Sequence, residues 1–93
     1  MLLGDIDVVI THDWPSGIRD AKGTELIRSI AETLQPQLNV CGHMHSYHEA
    51  AIGKTAVHAL NAVPSAIMGD GRYGWWGLFE VANGKIRSIS VGG

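Results

Sequence analysis

Three of the five histidines in this chain of 93 residues, His12, His43 and His45, fall where imidazoles can act together. His12 closes the run Val8, Val9, Ile10, Thr11, and His43, Met44, His45 follows Val40, Cys41, Gly42. On an extended segment, side chains two apart point to the same side, so His43 and His45 converge on one point or on two adjacent ions. Gly42 ahead of them permits a tight turn and close approach of the backbone. Imidazole nitrogen suits zinc, iron, nickel, manganese or copper, so a divalent metal site is the chemistry to expect. His48 and His58 lie in predicted strands with nothing at ligand spacing and read as structural. Asp13, next to His12, diverges from it on an extended chain and reads as a supporting or loop acceptor group, not a ligand.

The elements needed to bring His12 to His43 are short. Residues 5–11 and 38–41 are apolar, β-branched runs that predict two strands. Between them, Thr24 can cap a helix over residues 25–35, with Glu25 at the positive end of its dipole. Leu26, Ile27, Ile30, Ala31 and Leu34 form its apolar face, Arg28 and Glu32 face out, and Pro36 stops it. A βαβ unit of this kind brings the carboxyl ends of both strands to one sheet edge, where open α/β sheets place ligands in a crevice. Further on, residues 47–51 and 54–60 predict a hairpin turned at Ile52 and Gly53. After a loop over 61–74, residues 75–81 and 85–91 predict a second, turned at Asn83 and Gly84. The expectation is a single α/β (α+β-like) domain over residues 1–93. Its mixed sheet would hold one βαβ unit and C-terminal antiparallel hairpins.

Composition narrows the partners. A formal charge of −2 with scattered basic residues leaves no electrostatic footprint for nucleic acid or an anionic membrane. Trp14, Trp75 and Trp76 could stack bases, but without basic flanks they read as packing residues. The single cysteine, Cys41, excludes an internal disulfide and suits a reducing compartment. No apolar run is long enough to span a bilayer, and Met1, Leu2 and Leu3 are too few for a signal peptide, so the expected location is cytoplasmic.

The strings Val9, Ile10, Thr11, His12 with Pro15, and Cys41, Gly42, His43, Met44, His45, resemble the last two motifs of calcineurin-like metallophosphoesterases. His12, Asp13, Trp14 and Pro15 with Gly17 and Ile18 look like the branch containing RNA lariat debranching enzymes and related phosphoesterases. The resemblance implies half of a metallophosphoesterase sandwich and a binuclear site of Mn, Fe, Zn or Ni that hydrolyses phosphate mono- or diesters. By motif, His12 and His43 would ligate one metal and His45 the other, with His43 and His45 the candidate catalytic residues. Asp13, Trp14 and Gly42 would form the substrate-side loop. The Asp-x-His, Gly-Asp and Gly-Asn-His motifs that precede these in the family have no counterpart in context here. The chain therefore matches the C-terminal half, with half the metal ligands. It is expected to need a complementing N-terminal chain or self-association, and alone to be inactive; a metal-binding or oligomeric domain without catalysis is the alternative.

Overall fold

The computed structural model describes residues 6–18, 22–44, 46–61 and 73–92. Among these, β1 (Val8–Ile10), α1 (Glu25–Leu34), β2 (Leu38–Cys41), β3 (His48–Ile52), β4 (Thr55–Ala59), β5 (Trp76–Ala82) and β6 (Lys85–Gly92) follow in chain order. The first strand is shorter than its apolar run, yet its ladder continues past both ends. The Leu38 N–H donates to the Asp7 carbonyl at 3.1 Å and the Thr11 N–H to the Val40 carbonyl at 2.9 Å.

Four strands form a mixed sheet in the order β1-β2-β4-β3, and β5 with β6 makes a separate two-stranded sheet. β1, β2 and β4 are parallel, while β3 returns antiparallel along the outside of β4. The first hairpin turns one residue later than its sequence suggests, because Ile52 still pairs with Thr55. Gly53, at φ 58°, takes the first central position, where a type II′ turn calls for glycine. In the second hairpin Asn83 and Gly84 sit at φ 52° and 73°, the pair of positive values that a type I′ turn requires.

One face of the four-stranded sheet carries Cys41, Ile52, Val57 and Ala59, which pack with Trp14, Ile18 and Ala31 into the core. The helix meets this face through its C-terminal half. Gln35, left-handed at φ 45°, ends it; its Nε2 donates to the Ile52 carbonyl at 3.1 Å and its Oε1 accepts the Lys54 N–H at 2.6 Å. The first turn gains nothing from this anchor, and Leu26 is 68% exposed rather than part of the buried face. The opposite face carries His58, whose ring meets that of Phe79 of β5 in a T-shaped contact with centroids 5.1 Å apart. Gln37 fastens the hairpin from below: its Nε2 donates to the Gly84 carbonyl at 2.6 Å and its Oε1 accepts the Ile86 N–H at 2.8 Å. At the other end β1 is an open edge among the described residues, with Val8 41% and Ile10 79% exposed. No helix among the described residues is long and apolar enough to cross a membrane.

Candidate metal centre

Because β1 and β2 are parallel with Ile10 opposite Val40, the chain leaves both strands at the same edge. The Gly42 N–H then donates to the His12 carbonyl at 3.0 Å, pinning one loop to the other. His43 follows at φ 74°, and the Met44 N–H turns back onto the Gly42 carbonyl at 2.9 Å. A three-residue turn with positive φ at its centre is rare and strained. A histidine stays in such a turn only where its surroundings over-determine it. The turn delivers the imidazole: His12 Nε2 lies 2.9 Å from His43 Nδ1, with ring centroids 4.6 Å apart.

Two chemistries fit that separation. One ring nitrogen can donate its proton to the lone pair of the other. Alternatively, both lone pairs can face one cation. Metal–nitrogen bonds of about 2.0–2.1 Å place two ligand nitrogens about 2.9 Å apart at a right angle and about 3.3 Å apart at the tetrahedral angle. The observed 2.9 Å satisfies the hydrogen bond directly and matches the right-angle value for a shared ion, short of the tetrahedral one.

His45 lies outside the described residues. Among the described residues no group of three or more His, Cys, Asp or Glu side chains comes together, and His12 and His43 stand exposed at the sheet edge rather than in a crevice. Cys41 is close in sequence but buried; burial, with the Asp13 charge, pushes its thiol up to about 12, so it stays protonated.

Asp13 acts as the loop acceptor its position suggests. Its Oδ2 accepts the Thr24 hydroxyl at 2.6 Å and its Oδ1 accepts the Trp14 N–H at 2.7 Å. The Thr24 hydroxyl, foremost, holds the carboxyl below its ordinary range; partial burial opposes this, and the Trp14 N–H and the two imidazoles assist it. The same bond diverts Thr24 from capping: it occupies the N-cap, but its hydroxyl serves Asp13 instead of a helix N–H. Trp14, expected in the loop beside the histidines, has its side chain packed inward. It is 1% exposed and stacks on His48 at 5.8 Å with the planes 15° apart. His48 opens β3. His58 is buried in β4, its Nε2 3.7 Å from Glu49 Oε1.

Sequence reasoning missed Asn39. Its Nδ2 donates to the Val9 carbonyl at 3.0 Å and to the Thr11 hydroxyl at 3.2 Å, and that hydroxyl donates to the Asp13 carbonyl at 2.9 Å. The available signal was one carboxamide inside the apolar run Leu38, Asn39, Val40, Cys41, since a buried polar group needs a partner. Neither a protein-family model nor a curated protein matches the chain.

Proposed function

We propose that this chain contributes a histidine metal half-site to a metal-dependent phosphoesterase of the calcineurin-like type. The observation that carries the reading is the 2.9 Å approach of His12 Nε2 to His43 Nδ1 at adjoining ends of parallel strands. His12 and His43 would hold the ion, and His45, two residues beyond His43, is the third candidate ligand. A divalent ion bound there would supply Lewis-acid charge and a water activated for attack on a phosphate ester. The chain's own part is to hold the two imidazoles side by side while Asp13, through Trp14 and Thr24, fixes the loop that carries His12.

Completion by another polypeptide, either an N-terminal half or a second copy, belongs to the same proposal. Exposed Val8 and Ile10 on an open parallel edge support it, because parallel sheets are ordinarily covered and open edges invite pairing. A second reading, a metal-binding domain without catalysis, is favoured by the engagement of both Asp13 oxygens, which leaves no local carboxylate to offset the charge of the second dication that a binuclear centre needs.

Hydrolysis of bis(p-nitrophenyl) phosphate with Mn²⁺ separates the two. Activity abolished by His43→Ala, in the chain alone or after adding a complementing chain, supports the esterase. Mn²⁺ binding without turnover under either condition supports the binding domain.

A further inference from the structure

Strand β2 carries His43 just beyond its end and Asn39 in its middle. Asn39 is 1% exposed and lies opposite Val9 in the parallel register. Its carboxamide reaches across to β1 twice, at the Val9 carbonyl and at the Thr11 hydroxyl, 3.0 and 3.2 Å away. Thr11 passes the restraint on: its hydroxyl spans His12 and donates to the Asp13 carbonyl at 2.9 Å. The residues on both sides of His12 are thereby tied to the strand that presents His43. The remaining polar atom of the carboxamide, Oδ1, is buried without a partner among the described residues. Leaving a carbonyl oxygen unpaired in a core weakens the fold, and a valine or leucine at a central strand position would avoid that cost. The two cross-strand bonds offset part of that cost, and what they hold is the backbone on either side of His12.

We infer that Asn39, acting through Thr11, is a positioning residue that sets His12 against His43. The inference rests on the metal half-site reading for its purpose, though the network itself does not need a metal. Removing the carboxamide while filling its space should loosen the imidazole pair without loosening the core. A purely structural asparagine would behave in the opposite way, losing both together. Groups that orient metal ligands typically change affinity by about ten- to a hundredfold when removed.

The test is Co²⁺ titration of the full chain, followed by its visible absorption, alongside thermal unfolding without metal. Asn39→Leu should weaken Co²⁺ binding at least about tenfold while the unfolding midpoint stays the same or rises. Unchanged Co²⁺ binding in a folded Asn39→Leu protein overturns the inference. If Asn39→Leu does not fold, Thr11 decides: loss of binding in Thr11→Val with rescue in Thr11→Ser supports it, and wild-type binding in Thr11→Val overturns it. If the wild-type chain binds no Co²⁺, the metal reading fails, and imidazole ¹⁵N spectra of the metal-free protein decide. One fixed tautomer each for His12 and His43, lost in the Asn39 or Thr11 variant, supports the positioning role; identical spectra in both proteins overturn it.

Discussion

The left-handed backbone of His43 makes a stability prediction with an unusual sign. At φ 74°, an L-residue carries about 1–2 kcal/mol of strain that glycine does not. Glycine in turn loses about 0.5–1 kcal/mol more backbone entropy on folding. On the central values the difference leaves His43→Gly more stable than His43→Ala by about 0.75 kcal/mol, although both lack the imidazole. For a domain of this size 1 kcal/mol corresponds to about 4–8 °C in Tm, so the two variants should differ by about 3–6 °C, glycine the higher. Thermal and urea unfolding of both proteins without metal is the assay. Comparison with alanine is the informative one, because it cancels the lost bond to His12 Nε2, itself exposed and worth about 1 kcal/mol or less. If His43→Gly is equal to or less stable than His43→Ala, the turn is relaxed, and the claim that the fold stores strain to present this side chain is wrong.

Two other perturbations test the frame around the pair. Trp14→Ala removes a fully buried indole from the core between sheet and helix and should cost about 3–5 kcal/mol in urea unfolding; a cost near 1 would mean that Trp14 lies at a surface. Asp13 has its carboxyl held below the ordinary range, with the Thr24 hydroxyl the leading cause. A depressed folded-state pKa means that its contribution is present above the unfolded value near 3.8 and lost as pH falls through the folded value. Wild-type stability should therefore decline on acidification below about pH 4, and Asp13→Asn should flatten that part of the curve; parallel pH profiles for the two proteins would contradict the assignment.

The sequence disclosed the parts of the fold that local chemistry dictates. Leu38–Cys41 is a strand at the boundaries its apolar run implies, α1 begins after Thr24, and Asn83 with Gly84 turns the second hairpin. Each depends on residues adjacent in the chain: a run between breakers, a cap position, a pair tolerant of positive φ. The approach of His12 to His43 was legible because one βαβ unit leaves few ways to place two strand ends. What stayed hidden depends on distant partners. Thr24 spends its hydroxyl on Asp13, eleven residues back; Gln37 clips a turn forty-seven residues on; Trp14 is drawn inside against His48. A loop tryptophan before proline carries no mark of whether it packs inward. Asn39 was passed over as well, although a polar residue in an apolar run was a signal, one that does not say what it holds.

Equilibrium dialysis against Zn²⁺ at neutral pH, for the wild-type chain and for His12→Ala and His43→Ala, tests the central claim most directly. The account predicts at least one ion bound per wild-type chain and loss of that ion in each variant, with all three proteins folded by circular dichroism. A wild-type chain that remains metal-free, or binding that survives in either folded variant, would contradict it.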